Sequence, residues 1–167
     1  GIDEAIEKGC DWLFFLDADD LMALEAFEIA SNYMGDYDAI FGNICEKNPD
    51  GVPELRAGQV KNITDYSDIL LNDPYLTLQM GHFVKTQCAN AIRFDVGMNA
   101  GEDFEYYLNL CDQYRFIKID SVLFVNRRGM HSTGPLSATG GDWRVAVQGL
   151  ILKRLRDCTV SYTHLTL

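Results

Sequence analysis

The sequence predicts an α/β domain, a mixed and mainly parallel sheet flanked by helices. Three observations point there. Trp12 to Leu16 is an unbroken apolar and aromatic run that ends in Asp17-Ala18-Asp19-Asp20, the pattern of a strand covered on both faces. Phe104, Tyr107, Leu108 and Cys111 recur at i, i+3, i+4 and i+7, so one helix buries a continuous stripe. Between them, short strand-like runs such as Ala39 to Ile44 are interleaved with helical ones, the order of a layered α/β fold.

Taken in order, Ile2, Ala5 and Ile6 have helical spacing, and Gly9 supplies the residue that ends this helix before the strand. In open parallel sheets ligands bind beyond the carboxyl ends of strands, so Asp17, Asp19 and Asp20 emerge at the expected site edge of a central strand. Three adjacent carboxylates repel one another and a divalent cation is the usual remedy; the plainer reading is a solvated turn with an acidic helix cap. Leu21 to Met34 reads as a helix, with Ala23, Ala26, Phe27, Ala30 and Met34 on one face, Gly35 closing it, and Asp19 or Asp20 available as its N-cap. Ala39 to Ile44 is the next strand, and Pro49-Asp50-Gly51 a turn between short strands.

Asn62-Ile63-Thr64 matches a glycosylation acceptor pattern, but Thr64 reads better as the N-cap of a helix from Asp65 to Leu71, ended by Asp73-Pro74. Thr77 to Lys85 is expected to be extended, and Cys88 to Phe94 a short helix. His82, beside Phe83 and Val84, reads as structural rather than catalytic. Gly101-Glu102-Asp103 opens the striped helix and places Asp103 in its first turn, where free N–H groups and the helix dipole favour an ionised carboxylate. Phe116 to Arg128 is a hairpin or a bent strand around Asp120-Ser121. If its outer part stays regular, Arg127 and Arg128 point to opposite faces, and at most one serves a site directly. Ser132 to Asp142 is rich in Gly, Ser and Thr and reads as a loop; Trp143 to Arg156 returns to helix. The run Lys153, Arg154, Arg156 is a solvated face or a contact for anionic lipid.

A length of 167 residues suits one domain. The net charge of −11, with no basic cluster to offset it, argues against a nucleic-acid partner. A phosphorylated ligand must then be held by a cation or by a few placed basic groups. No apolar stretch approaches the roughly 18 residues of a spanning helix. The five cysteines show no C-x-x-C spacing, which fits free thiols in a reducing compartment and a cytoplasmic setting. The chain opens inside a helix without an initiator Met, and Val160 to Leu167 resembles a translated sequencing adaptor. The expectation is an interior fragment whose native domain covers residues 1–159, followed by a non-native tail at 160–167; a natural C-terminal strand is the alternative for that tail.

The helix GIDEAIEKG leading into FLDADD, then Gly101-Glu102-Asp103, then Asn126-Arg127-Arg128-Gly129-Met130-His131-Ser132, resemble in that order the inverting nucleotide-sugar glycosyltransferases of family 2. The resemblance covers roughly residues 1–135 and implies a partial GT-A, Rossmann-like fold lacking its first nucleotide-binding strands. It implies a sugar transferred from a nucleoside diphosphate, most simply a UDP-sugar, to a hydroxyl of a glycan or lipid-linked acceptor, as in polysaccharide synthesis at the inner face of a membrane. Asp19 would be the principal ligand of Mg²⁺ or Mn²⁺, Asp17 would serve the metal or the ribose, and Asp20 would be a supporting or capping residue. Arg127 or Arg128 and His131 would hold the diphosphate. Asp103 would be the general base, with Glu102 orienting the acceptor or the helix start; acidic capping of the helix is the plainer role for that pair.

Other classes meet the same aspartates. A haloacid-dehalogenase-like phosphatase also carries D-x-D after a hydrophobic strand, but expects Thr or Val where Leu21 stands. A calcium loop starting at Asp17 fails at Leu21 and Met22, where an oxygen ligand and Gly are needed. An inactive fragment is the third alternative.

Overall fold

The computed structural model describes residues 1–56, 62–71, 81–98, 101–127 and 142–164; in the last segment side chains are described at 145 and 147–157. The elements run α1 (Ile2–Glu7), β1 (Trp12–Phe14), β2 (Leu21–Met22), α2 (Ala26–Ser31), β3 (Ala39–Lys47), β4 (Glu54–Leu55), α3 (Tyr66–Leu71), β5 (Phe83–Lys85), α4 (Thr86–Ala91), α5 (Glu102–Gln113), β6 (Phe116–Arg127) and α6 (Asp142–His164). The six strands form one sheet in the order β1-β5-β3-β6-β2, with β4 on β3. β3 and β6 pair in parallel and the remaining pairings are antiparallel. Because β5 is antiparallel to both its neighbours, β1 runs in the same direction as β3 and β6, and these three hold most of the sheet's residues. The architecture is the expected α/β one.

Alternation along the strands divides the core into two layers. On one face Ala39, Phe41, Val84 and Phe116 meet α3, α4, α5 and α6 through Leu70, Cys88, Tyr107, Leu108 and Val147. On the other, Ile40, Phe83, Ile117, Ile119 and Leu123 meet Ala26 and Ala30 of α2. The run at β1 splits in the same way: Leu13 and Phe15 pack on the first layer, Trp12 and Phe14 on the second. Both faces are covered, as expected, and among the described residues β1 has a neighbour on one side only. An unbroken apolar run reports cover above and below; it carries no information about neighbours in the sheet plane.

Several local expectations hold. Gly9 has φ 69°, its N–H bonds to Ile6 O and the Cys10 N–H to Ala5 O at 2.9 Å, the double bond that closes a helix on a left-handed glycine. The α5 stripe Phe104, Tyr107, Leu108, Cys111 is buried throughout. β6 is one bent strand and not a hairpin: its register with β3 shifts between Phe41 and Ile44, so β6 bulges around Asp120-Ser121. Asn43 and the fully buried Lys118 fill this bend; Lys118 Nζ donates to Asn43 Oδ1, and Asn43 Nδ2 to Asp120 Oδ1 at 2.9 Å.

Others do not. Leu21 to Met34 is not one helix. Leu21 and Met22 pair with Val125 and Phe124, the Ala23 N–H bonds to Leu123 O at 2.9 Å, and α2 begins only at Ala26. Ladder bonds to β6 take the residues that periodicity assigned to the first helical turn, and Phe27 remains 60% exposed. Neither Asp19 nor Asp20 therefore caps α2. At α3, Asp65 and not Thr64 does the capping, accepting from the Ser67 N–H at 2.9 Å and from the Ser67 hydroxyl. Val160 to His164 continue α6 and form no strand. Asp73-Pro74 lies outside the described residues, as does all of the expected Ser132 to Asp142 loop except Asp142, which opens α6.

Candidate active site

β1, β3 and β6 share a direction, so their carboxyl ends lie along one edge of the sheet. Phe15 to Asp20 carries the chain over that edge, from β1 at one side to β2 at the other. A tight turn forms where the Asp20 N–H bonds to Asp17 O at 3.1 Å. The end of β6 holds it. Asp20, only 6% exposed, accepts from the Arg127 backbone N–H at 2.8 Å and from Asn126 Nδ2 at 3.2 and 3.1 Å on its two oxygens. Arg127 Nε donates in turn to the Asp19 carbonyl. Both Asp20 oxygens thus serve the join between turn and sheet, while Asp17 stands exposed and Asp19 half-buried beside it. Replacing Asp20 by Ala should cost about 1–3 kcal/mol, because the Arg127 N–H and the Asn126 amide lose their acceptor. Urea denaturation reads this; an unchanged midpoint would mean that the turn is held by other contacts.

The second group comes from α5. Gly101 opens the helix at φ 78°, and a Cβ there would stand 2.9 Å from Val147 of α6, so a bulkier residue could not make this entry. Glu102 and Asp103 follow at once. Asp103 Oδ1 accepts from the Phe104 N–H at 2.8 Å, one of the free donors of the first turn. That bond would hold the carboxyl low, but burial outweighs it. Loss of hydration first, then repulsion from Glu102 and Asp17, pushes the Asp103 carboxyl up to about 7. The helix-start reading of an ionised, low carboxyl is therefore reversed here: desolvation exceeds what the dipole supplies. Asp17 is raised as well, by partial burial first and then by Asp20, Asp19 and Glu102.

The acidic turn and the start of α5 lie close together, although Glu102 comes 82 positions after Asp20 in the chain: the Phe15 ring meets Tyr106 of α5 edge-on at 5.6 Å, and Asp17 is repelled by Glu102 and Asp103 by Asp17. The structure brings Asp17, Asp19, Asp20, Glu102, Asp103 and Arg127 to one edge. Arg128 and His131 lie outside the described residues. Among the described residues no three carboxylate, imidazole or thiolate side chains converge on one point as a ready cation cage. What the turn offers is two neighbouring hard oxygen ligands, Asp17 and Asp19, a set that suits Mg²⁺ or Mn²⁺ held mainly by phosphates and water.

Asn126 opens the Asn126 to Ser132 motif in the sequence but had no role of its own there, since an amide gives no pattern until its strand is seen to end beside Asp20. The basic run on α6 divides: Arg154 turns inward, donating to Asn109 Oδ1 and lying 3.9 Å from Asp112, while Lys153 stays exposed. Among the described residues no helix is long and apolar enough to cross a membrane.

No protein-family model matches this chain, and no curated protein matches it significantly. Solved structures do. S. aureus TarS 1-349 superposes with a TM-score of 0.53 at 18% identity over 70% of this chain and 36% of that one. Its complex with UDP gives 0.55 at 17% over 70% and 36%, and its complex with UDP-GlcNAc gives 0.55 at 19% over 73% and 36%. At this identity the likeness is one of fold. The chain spans about a third of the length of TarS 1-349.

Proposed function

We propose that this chain forms the metal-side and base-side part of a metal-dependent, inverting family 2 glycosyltransferase that moves a sugar from a nucleoside diphosphate to a hydroxyl acceptor. The observation that carries the reading is the facing of the Asp17–Asp19 turn and the Asp103 helix start at the carboxyl edge of the sheet. The fold likeness to TarS, whose structures include UDP and UDP-GlcNAc complexes, supports a uridine nucleotide sugar as the donor class.

Asp19 and Asp17 would hold Mg²⁺ or Mn²⁺, which when bound offsets the negative charge gathering on the departing diphosphate. Asp20 keeps the turn on β6, which leaves the other two carboxylates of the turn to serve the cation. Arg127, already against the turn, and Arg128 or His131 would hold the diphosphate oxygens. Asp103 takes the proton of the acceptor hydroxyl as that oxygen attacks the anomeric carbon from the side opposite the diphosphate. Its raised carboxyl suits this work, because a base is most effective when its pKa lies near the working pH. Glu102, on the same first turn, orients the acceptor. A glycan or lipid-linked glycan is the acceptor class, met at the cytoplasmic face of a membrane.

The test is nucleotide release from UDP-GlcNAc by the enzyme carrying this segment, in Mg²⁺ or Mn²⁺ and again in excess chelator. Release that requires the cation is expected. Phosphate release from simple phosphomonoesters through a phospho-aspartate at Asp17, without nucleotide-sugar turnover, would replace this reading by the phosphatase one.

A further inference from the structure

His82 sits where three parts of the site meet. It is fully buried. Its backbone is joined to the segment that feeds the acidic turn: Gly81 N–H donates to Phe15 O at 2.6 Å, and Phe15 N–H to His82 O at 3.4 Å, two residues before Asp17. Its ring reaches β3, where the Gly42 N–H donates to Nδ1 at 3.4 Å. In that bond Nδ1 is the acceptor. The same ring meets Tyr107 edge-on at 5.4 Å between centroids, and Phe41 at 4.8 Å.

Tyr107 leads to the other half of the site. It lies four residues after Asp103, on the same face of α5. Side chains on a helix lean toward its N-terminus, so the phenol rises under the turn that carries Asp103. Tyr107 is fully buried, and its hydroxyl is pushed well above the ordinary tyrosine value by burial, then Tyr106, then Asp103 and Asp17. Gly81 makes the arrangement possible: its φ is +93°, and a Cβ there would stand 2.0 Å from the Phe124 ring.

We propose that His82 and Tyr107 are positioning residues that brace the start of α5 against the β1–β5 strand pair and so hold Asp103 in register with Asp17 and Asp19. This rests on the reading of Asp103 as the base. Like charges push the acidic turn and the helix start apart, and a packed pair of rings between their supports opposes that motion without adding charge to the site. His82 itself touches no reacting group; it acts through Tyr107 and through Phe15.

Two measurements test the brace, the first independent of any reaction. In hydrogen exchange of the full chain, His82→Ala should speed exchange about tenfold or more in both Phe15–Asp20 and Glu102–Tyr107, segments far apart in sequence. His82→Phe, which keeps a ring against Tyr107 but offers Gly42 no acceptor, should restore most of the protection at Glu102–Tyr107. Acceleration confined to β5 and β3 would overturn the proposal. If His82→Ala does not fold, Tyr107→Leu, which removes the ring that meets His82 while keeping an apolar side chain, carries the same measurement at Glu102–Tyr107, and unchanged exchange there would overturn it. In the enzyme, Tyr107→Leu should lower kcat of transfer about 10–100-fold with the donor KM within about twofold, since misplacing a base costs rate and not donor affinity. An unchanged kcat, or a loss confined to KM, would contradict the role. Absence of transfer by the wild type would refute the assigned function and leave the exchange result to decide the brace.

Discussion

Asp103→Asn is expected to lower sugar transfer by about 10²–10⁴-fold in the enzyme that carries this segment. The substitution keeps the size of the side chain and leaves an oxygen for the Phe104 N–H, so the entry to α5 survives. What it removes is a carboxylate able to accept the acceptor proton. Wild-type transfer should rise with pH through about 7, where burial, then Glu102 and Asp17, have placed the carboxyl; the variant's residual rate should lack that limb. Stability runs the other way. A carboxyl raised in the folded chain contributes stability that is present below its unfolded value and lost as pH climbs to about 7. Above pH 7 the ionised group opposes the fold, so Asp103→Asn should melt higher than wild type at pH 8 and gain less at pH 5. A variant slow in transfer yet more stable at alkaline pH is the signature of a base whose carboxylate the fold has stripped of hydration. Thermal melts at the two pH values beside single-turnover rates measure it.

Asp19→Asn is expected to fail earlier, at donor binding. With Asp17, Asp19 supplies the hard anionic oxygens of the turn, and an amide is a far poorer ligand for Mg²⁺ or Mn²⁺. Affinity for UDP in the presence of the cation should drop by about tenfold or more, and transfer with it. The Asp19 carbonyl, which accepts from Arg127 Nε, is untouched by the change, so the turn should keep its place. In excess chelator wild type and variant should bind UDP alike. Undiminished wild-type turnover in chelator would take the cation out of the account.

The layers of this fold were legible wherever burial follows a period. The α5 stripe and the two-sided cover of β1 come from local spacing, and both stand in the structure. Position within the sheet was not legible, because β1 reads the same with one neighbour or two. The error at Leu21 to Met34 has the same origin. A helical pattern of alanines is genuine from Ala26 onward, but Asp20 ties the chain to Asn126 and Arg127, over a hundred residues away, and so delivers Leu21 and Met22 to the β6 ladder. Of the site, the carboxylates announced themselves by crowding. Their division into exposed Asp17, half-buried Asp19 and Asp20 tied to β6 needed the partner strand. The sign of the Asp103 shift also needed the fold, since a helix start lowers a carboxyl and only tertiary burial reverses it. His82 and Tyr107 were read as core residues, which they are; that the core here joins the two halves of the site appears only when Phe15 and Gly42 are placed beside them.

The central claim is that one set of carboxylates binds the donor through a cation and another performs the proton transfer. Isothermal titration with UDP and Mg²⁺, paired with single-turnover transfer, tests it most directly on wild type, Asp19→Asn and Asp103→Asn. The account predicts a crossed result: Asp19→Asn loses affinity and rate together, while Asp103→Asn binds UDP within about twofold of wild type and loses rate alone. Near-normal single-turnover transfer by Asp103→Asn would contradict it, reducing Asp103 to a helix cap.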